Sequence, residues 1–454
     1  MGYDVYLDDN YWDWIRSAKR DPVSDQSVPK VDQELKEEIL NELDHLRSLD
    51  VTEYSLHHKY LELQDWFPNQ DIDVIHEVKD LIWKPRGRGD YRYIQPELVF
   101  VKNSVLLESK DFFGNQTTRE MQLKEPYLQH WQIMRTLISS ARNDSTVGRQ
   151  LRFVVRDKIT KQYLGVICIS SEMMNLKPRV KHIQCKSSQL VELGTLNNMA
   201  SGQTIIPSQP FGSVFNGGKL MALMCVSDVI QNTWEEFYGH KLVTVSTTSL
   251  WGSNKKSSIY DGLTPYWKNI GKTEGKAPLK VSDALYNKVR TWLLNRHPEI
   301  YFNHYIRKRP SGQPWMRENK SRALTWTYRF LGIKASAFTS THLRGCYFSK
   351  LYSNSDEFLR GEIDLNQLTA SFDNSIDALT EFWKFGRAGD TTTLPDDLKK
   401  KFGNDVSRGA KGRLDKQIRE NGEFFIDQSV EWYGDLQGLS WEQVRKKYLK
   451  NVGR

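Results

Sequence analysis

The sequence predicts an α/β protein, and three stretches near its middle carry that prediction. Residues 163–171 form a short apolar run rich in β-branched side chains, which is typical of a buried strand. Residues 215–225 are apolar at helical spacing and contain a pair of glycines near their start. Residues 241–249 are again β-branched and end in a row of hydroxyl side chains. The order strand, helix, strand is that of α/β folds.

Two of these stretches are expected to meet in one sheet. Strands joined through a helix usually lie parallel, with a right-handed connection. We therefore expect residues 163–170 and 242–248 to be neighbouring parallel strands, with a helix over residues 218–229 crossing between them. Residues 178–212 are polar and irregular, which predicts a loop inserted before that helix.

The flanking segments alternate between helical and strand patterns. Residues 31–49 carry Leu35, Ile39, Leu43 and Leu46 on one helical stripe. Strand alternation is found in residues 93–107, and residues 151–155 are expected to pair with 163–170 across a polar turn. Helical spacing returns in three further segments, residues 127–141, 279–294 and 321–331.

The composition indicates a cytoplasmic protein without a membrane span. No apolar run approaches the roughly 20 residues that a spanning helix requires. The acidic first ten residues lack the pattern of a signal peptide. The cysteines show no spacing typical of zinc sites or disulfide frameworks, and Cys168 and Cys225 lie in apolar runs that predict core positions.

Charge is distributed unevenly along the chain. Residues 1–80 contain 8 basic and 20 acidic side chains, whereas residues 286–350 contain 13 basic and 2 acidic ones. The pattern divides the chain into an acidic N-terminal extension (1–120), a core (121–280), a basic continuation (281–375) and a charged helical C-terminal region (376–454). A basic segment attracts nucleic-acid phosphates through counterion release, although a solvated basic surface has the same composition.

The basic segment supplies candidate contacts to DNA. Its cations are interleaved with Trp315 and Trp326. We expect one surface there that binds phosphates, formed by Arg307, Lys308, Arg309, Arg317, Lys320 and Arg322.

Two glycines mark the start of the central helix. Glycine lets a backbone approach a ligand closely, and the first turn of a helix offers unpaired N–H groups and a partial positive charge. Gly217, Gly218 and Lys219 are therefore predicted to bind the pyrophosphate of a cofactor. A tight turn that needs glycine for its backbone alone is the alternative.

Hydroxyl side chains follow at the end of the next strand. Thr247 and Thr248 are predicted to contact the cofactor, because ligands of open α/β sheets bind at that edge. Ser258 and Tyr260, on a presumed helix, are predicted to be catalytic, with Tyr260 donating a proton to a leaving thiolate or holding a substrate. The alternatives are that threonine merely favours strands and that Tyr260 is a core residue.

This order of pieces resembles the core of the GNAT acyltransferase fold. The likeness rests on the glycine-led helix, the strand after it, the Ser-x-x-Tyr turn at 257–260 and the closing Ile-Gly-x-x-x-Gly at 270–275. It implies a GNAT-like mixed sheet with helical N- and C-terminal extensions. It also implies an acyl-coenzyme A bound where the fourth and fifth strands diverge, the places taken here by residues 163–170 and 242–248.

About half of the chain, residues 128–362, is similar to the DruA family, first named for the Druantia anti-phage system and also found beside transposable elements and in phages. The pieces that match include Leu-Gly at 164–165, Trp-x-x-x-Tyr-Gly-His at 234–240, Ser-x-Tyr at 258–260 and Trp-x-x-Ile-Gly-x-Thr-x-Gly at 267–275. More distantly, the chain resembles the Mom proteins of phages, GNAT-like enzymes that modify adenine in DNA. These resemblances imply DNA as a partner and, as in Druantia, a large helicase.

Three functions remain open on the sequence alone. The first is a GNAT-like transferase that modifies a DNA nucleobase by acyl-type transfer, with acyl-coenzyme A as the cofactor if there is one. The second is a non-catalytic DNA-binding component of an anti-phage or mobile-element system that works with a helicase. The third is a nuclease, which requires carboxylates such as Asp261, Glu274 and Asp283 to share a metal ion, and spacing alone does not establish that.

Overall fold

The computed structural model describes residues 30–84, 90–101, 104–110, 116–122, 126–139, 149–209, 211–251, 258–273, 279–308, 314–340, 342–385 and 438–452. These residues fall into two compact units. The helical unit takes its described residues from Met1–Tyr54 and Glu274–Leu343, and the sheet unit takes its own from Ser55–Thr273 and Arg344–Arg454. Both units are assembled from separated stretches of the chain, whereas the charge pattern predicts consecutive segments.

The described helices are numbered in chain order. They are α1 Lys30–Ser48, α2 Val51–Trp66, α3 Ile72–Leu81, α4 Pro126–Ile138, α5 Lys177–Ile183, α6 Ser187–Glu192, α7 Phe211–Phe215, α8 Gly217–Met224, α9 Asp228–Tyr238, α10 Asp283–Arg296, α11 Pro298–Ile300, α12 Lys320–Phe330, α13 Ala335–Phe338, α14 Ser355–Leu359, α15 Ile376–Phe385 and α16 Trp441–Val452.

The described strands are β1 Pro96–Val101, β2 Ser104–Lys110, β3 Gln116–Gln122, β4 Gln150–Asp157, β5 Tyr163–Ser171, β6 Met199–Pro207, β7 Thr244–Ser249, β8 Lys268–Lys272, β9 Ile306–Lys308, β10 Pro314–Glu318 and β11 Gly345–Lys350. Seven of them form one sheet in the order β1-β4-β5-β6-β7-β11-β8. Two hairpins, β2–β3 and β9–β10, form separate two-stranded sheets. The predicted α/β class with a mixed sheet is confirmed.

The sheet contains one parallel pair among its described neighbours, formed by the fourth and fifth strands of the spatial order, β6 and β7. All other neighbours are antiparallel. The prediction that β5 and β7 are neighbouring parallel strands is therefore wrong, because β6 lies between them. β5 runs antiparallel to β6, and hence also antiparallel to β7. They do belong to the same sheet.

The error has a local cause in the sequence of residues 178–212. That segment was predicted to be a loop, but it contains α5, α6 and all of β6. The polar and small side chains of β6, such as Ser201 and Gln203, obscured its strand pattern. The helix predicted over residues 218–229 is likewise two helices, α8 and α9, which a short turn separates.

Helices cover both faces of the sheet. One face packs against α8, α9 and α15 and forms the largest apolar core, which includes Phe153, Leu220 and Trp234. The opposite face packs against α4 through Trp131 and Met134. Farther along that face, a smaller apolar cluster joins the ends of α5 and α6 to β11. The predicted core positions of Cys168 and Cys225 are confirmed, since both thiols are buried.

The helical unit has its own apolar core. Leu35, Ile39, Leu43 and Leu46, the stripe predicted on α1, are all buried in it. They pack with side chains of α10 and α12. None of the described helices of either unit is both long enough and apolar enough to cross a bilayer.

Candidate functional site

The most distinctive feature of the sheet is where β6 and β7 part. They pair over three residues each, from Met199–Thr244 to Ser201–Ser246. Beyond this point β6 continues beside β5 only, and β7 continues beside β11 only. Because strand edges carry backbone N–H and C=O groups, the two diverging edges present hydrogen-bonding groups towards each other across a gap.

One side chain closes the base of this gap. Thr247 is the first residue of β7 beyond the paired segment, and its Oγ1 donates to the carbonyl oxygen of Gly202 on β6, 2.8 Å away. The Tyr260 hydroxyl lies 3.5 Å from the same Thr247 oxygen. The Thr247 side chain therefore makes the hydrogen bond that a backbone N–H would make in a paired strand, at the point where β6 and β7 separate.

The gap is the floor of a cavity of about 420 Å³. Its wall combines both diverging strands with the end of α4 and with the turn that carries Tyr260. The lining residues are Ser55, Arg135, Ile138, Ser139, Gly202 to Pro207, Gln209, Thr247 to Trp251, Ile259, Tyr260 and Arg344. A volume of this size lies within the range of roughly 300–1,000 Å³ typical of small-molecule sites.

The charged residues that line the cavity are arginines. Arg135 is buried in its wall and Arg344 is exposed. None of the described residues that line it is an aspartate or a glutamate. Guanidinium groups bind carboxylates and phosphates through paired N–H donors, and nearby hydroxyls and amides add further donors.

Tyr260 is held rigidly beneath the cavity. Its ring packs on Trp267 and Tyr347, with centroids 5.2 and 4.8 Å away. Tyr347 in turn donates to Asp261 Oδ1 at 2.9 Å, and Asp261 Oδ2 accepts from the backbone of Ser258. Burial raises the pKa of Tyr260, so its hydroxyl keeps its proton at neutral pH. Tyr260 lies in a turn, not on the presumed helix.

The structure brings together part of the predicted site. Thr247, Thr248 and Tyr260 all line the cavity. Ser258 does not line it. That serine is buried beside the Tyr347 phenol, where it fixes the turn through its backbone rather than facing the cavity.

The glycine-led helix is placed differently from the prediction. Gly217, Gly218 and Lys219 begin α8, but they are not among the described residues that line the cavity. A Cβ on Gly217 would meet the Phe211 ring at 2.2 Å, and one on Gly218 would meet Ile259 Cγ2 at 2.8 Å. The space predicted to hold a phosphate beside Gly218 is therefore filled by Ile259.

The predicted nucleic-acid contacts lie in the helical unit where the structure describes them. Arg307 and Lys308 belong to β9 and Arg317 to β10, so the backbone carries all three on one hairpin. Arg309 lies outside the described residues, as does the Trp315 side chain. Lys320 forms an ion pair with Asp283 and lies over the Tyr286 ring. Arg322 is exposed on α12, whereas Trp326 is buried in the core.

No carboxylate cluster of the kind a nuclease needs is found in the part of the chain that the structure describes. Asp261 is engaged with Ser258 and Tyr347, and Glu274 lies outside the described residues. No group of three His, Cys, Asp or Glu side chains among the described residues is placed to hold a metal ion.

Several cavity residues were missed by the sequence analysis, above all Arg135, Trp251 and Arg344. Arg135 left one detectable signal, because it interrupts the apolar run from Ile133 to Ile138 on a helix whose neighbouring residues are buried. Arg344 had no such signal. Arg344 precedes β11 and lies at the cavity because β11 is placed between β7 and β8 in the sheet. Both of those strands are distant from β11 in the sequence.

Comparison with known proteins decides the family. The model of the family described as Druantia protein DruA matches residues 103–361, which is more than half of the chain. The chain belongs to the DruA family. The Druantia protein DruA of Escherichia coli (strain UMEA 4076-1) is 26% identical to it over 250 residues, 50% of this chain and 58% of the relative. The chain thus spans less than two thirds of that relative's length, and no solved structure matches it.

The DruA-family match covers the cavity almost completely. Every lining residue except Ser55 lies within residues 103–361. The Trp-x-x-x-Tyr-Gly-His motif at 234–240 has a structural role in this fold, because Trp234 is buried in the core and the Tyr238 hydroxyl bonds the backbone N–H and C=O of Gln150. That contact fixes the first residue of β4.

Proposed function

We propose that this DruA-family protein modifies DNA by an acyl-type group transfer at the cavity where β6 and β7 separate, in an anti-phage or mobile-element setting. The separation of the sheet's parallel pair over a cavity that contains two arginines and no described carboxylate is the observation that carries the proposal. A GNAT-like transferase requires such an opening between two parallel strands.

The residues present fit an acyl-coenzyme A. The unpaired edges of β6 and β7 offer backbone donors and acceptors to an extended amide chain. When bound, such a cofactor supplies an activated acyl carbon and a good leaving group. Thr247 would orient the gap through its bond to Gly202, and Tyr260 holds a proton at its hydroxyl oxygen beside the cavity.

A nucleoside profile tests this function. DNA from cells that express the protein is hydrolysed to nucleosides and analysed by mass spectrometry, and a new modified nucleoside is expected. Tyr260→Phe should reduce its yield by roughly 10²–10⁴-fold if the hydroxyl transfers a proton. Absence of any new nucleoside with the parent protein would contradict the proposal.

Two threonines of β7 provide a matched pair of variants. Thr247→Val removes the hydroxyl that bridges to Gly202, so the modified nucleoside should decrease. Thr244→Val removes a buried hydroxyl of the same strand that has no hydrogen-bond partner, on the opposite face of the sheet. Thr244→Val should leave the nucleoside yield unchanged.

A second candidate function is a non-catalytic DNA-binding component that works with a helicase. It is favoured by the hairpin β9–β10, whose strands carry Arg307, Lys308 and Arg317, beside the exposed Arg322. A two-stranded ribbon fits the major groove of DNA. Full phage protection by Thr247→Val and Tyr260→Phe, with unmodified DNA, would select this candidate over the transferase.

A further inference from the structure

The cavity contains more than a group-transfer site needs. Besides the hydroxyls at its floor, which include that of Tyr260, it has an indole ring, two arginines and two side-chain amides. These groups come from α4, from β6 and the residues after it, from the residues after β7 and from the residue before β11, and all line one space of about 420 Å³. Each has a distinct counterpart in the chemistry of a nucleotide.

The arginines suit a phosphate. Arg344 stands at the start of β11, where its N–H donates to Thr273 Oγ1 at 2.9 Å and its carbonyl accepts from Thr273 N at 2.8 Å. Its backbone is thus fixed while its side chain is exposed to solvent beside the cavity. Arg135 lies buried in the wall. An anion entering from solvent would meet Arg344 first, and no described carboxylate of the lining would repel it.

The remaining groups suit a base. Trp251 follows β7, lines the cavity and is partly exposed. Unpaired bases stack on aromatic side chains, and glutamine amides bond base edges. Gln203 and Gln209 both line the cavity. A duplex presents its base faces only at its ends, so stacking of this kind requires a base outside the helix.

Size supports the same conclusion. A space of about 420 Å³ is in the size range of sites that hold one small molecule, as a single nucleotide unit is. Enzymes that act on a base within DNA bind it unpaired, either from a single strand or flipped out of the duplex.

We propose that this cavity takes one unpaired nucleotide of a DNA strand, with its phosphate on Arg344 and Arg135 and its base against Trp251. The inference rests on the proposed function in one respect, because it identifies the acceptor of that reaction. It predicts that single-stranded DNA is preferred over duplex DNA.

Binding measurements test the proposal without using the reaction. The full-length protein is titrated with a short single-stranded oligonucleotide that carries 2-aminopurine at its centre, and with the same strand annealed to its complement. We expect at least a tenfold preference for the single strand and a change in 2-aminopurine fluorescence as the base stacks on Trp251. Free deoxynucleoside monophosphate should compete only weakly if a strand is the ligand. Strong competition by the monophosphate would overturn the assignment of the cavity to a DNA strand.

Variants locate the binding in the cavity. Arg344→Ala should weaken binding of the single strand about tenfold and lower its salt slope by about 0.7, the value for one phosphate contact on single-stranded DNA. Trp251→Ala should abolish the fluorescence change. Lys158→Ala removes one exposed positive charge on the turn after β4, away from the cavity, and should change neither quantity. Thermal unfolding of each variant checks that the fold is kept.

The outcomes separate this inference from the proposed function. Equal affinity for single strand and duplex, or an Arg344→Ala protein with unchanged affinity and salt slope, would overturn the inference even if a modified nucleoside were found. A preference for single strands that Arg344→Ala and Trp251→Ala remove would support it, even if no modified nucleoside were found and the transferase proposal failed.

Discussion

The sequence predicts that Gly217 and Gly218 bind a ligand. In the structure, close packing explains why both positions hold glycine. The start of α8 lies so close to Phe211 and Ile259 that a Cβ at either glycine would overlap a neighbour. Ile259 itself lines the cavity and precedes Tyr260. The two glycines therefore affect the candidate site because they let α8 pack closely against Ile259, which precedes Tyr260 in the turn beside the cavity.

A double-mutant cycle tests this packing. We expect Gly218→Ala to destabilise the protein by about 1–3 kcal/mol, because the added methyl must displace Ile259 Cγ2. In an Ile259→Ala background that carbon is absent, so the same glycine substitution should cost less or even stabilise the helix. Urea unfolding of the four proteins measures the coupling. Equal costs in both backgrounds would show that Ile259 is not what constrains Gly218.

Glu172 is a second residue whose environment the structure reveals. It follows β5, its side chain is 0% exposed, and its Oε1 lies 3.1 Å from Arg179 Nη1. Burial raises the pKa of Glu172 in spite of the guanidinium. The Ser246 hydroxyl, on the last residue of β7 that pairs with β6, lies close to this carboxyl group. The buried pair thus supports the sheet just below the point where the strands part.

The raised pKa of Glu172 predicts a pH dependence of stability. The folded state binds a proton at Glu172 more tightly than the unfolded state does. The stabilisation that protonated Glu172 contributes to folding is therefore fully present below the ordinary glutamate pKa of about 4.3. It is lost as pH rises from there through the raised pKa of the folded state. Glu172→Gln removes the titration, and the free energy of unfolding should then fall less steeply above about pH 4.3. Glu236→Gln, on the exposed side of α9, serves as the control and should keep the parent slope.

At the scale of single elements, acidic side chains of α1 form hydrogen bonds and ion pairs within the helical unit. The apolar stripe of α1 is buried in the core of the helical unit. Its acidic side chains contact α10 and Ser282, the residue that precedes α10. Asp32 accepts from Trp292 Nε1 and pairs with Arg296, Glu38 pairs with Lys288, and Glu42 accepts from Ser282. Part of the basic charge of residues 286–350 is therefore neutralised within the unit.

Two glutamates of α1 should differ in their effect on stability. Glu42 accepts from both the backbone and the hydroxyl of Ser282, the residue that caps α10. Glu42→Ala should cost about 1–2 kcal/mol, because it leaves a capping residue without its partner. Glu38 forms an exposed pair with Lys288, so Glu38→Ala should change stability by less than about 0.5 kcal/mol. Thermal unfolding compares the two, and equal losses would refute the distinction.

At the scale of the whole molecule, the candidate cavity and the candidate DNA-contacting residues belong to different units. The sheet unit contains the cavity, and the helical unit contains the hairpin β9–β10 and α12. On α12, Lys320 is already paired with Asp283, whereas Arg322 and Arg329 are exposed. Among the described cations of that helix, Arg322 is the better candidate for a phosphate contact than Lys320.

Salt dependence measures the contribution of the helical unit to DNA binding. Arg322→Ala should lower the slope of log affinity against log salt for duplex DNA by about 0.9, the value for one phosphate contact. Lys158→Ala, which removes an exposed charge from the sheet unit, should leave that slope unchanged. If neither duplex nor single-stranded DNA bound at low salt, both the second candidate function and the role of Arg322 would be rejected.

The sequence alone predicted the α/β class, the apolar stripe of α1, the β4–β5 hairpin and the approximate positions of α4, α10 and α12. These are local properties, since the spacing of apolar residues along one segment reflects the face that segment buries. It also singled out Thr247, Thr248 and Tyr260, which the structure places in the lining of one cavity, because hydroxyls at a strand end and a following tyrosine are visible within a short stretch; their roles stay predictions.

Only the tertiary structure decided that β6 lies between β5 and β7 and which residues line the cavity. β6 carries small and polar residues, so its pattern did not distinguish it from a loop, and its pairing with β5 and β7 depends on contacts far along the chain. Arg135, Trp251 and Arg344 meet because α4, β7 and β11 converge in the sheet unit, and no short segment contains that information. The close packing at Gly217 and Gly218 was not visible in the sequence for the same reason, since the neighbours that fill the space around a glycine come from other parts of the fold.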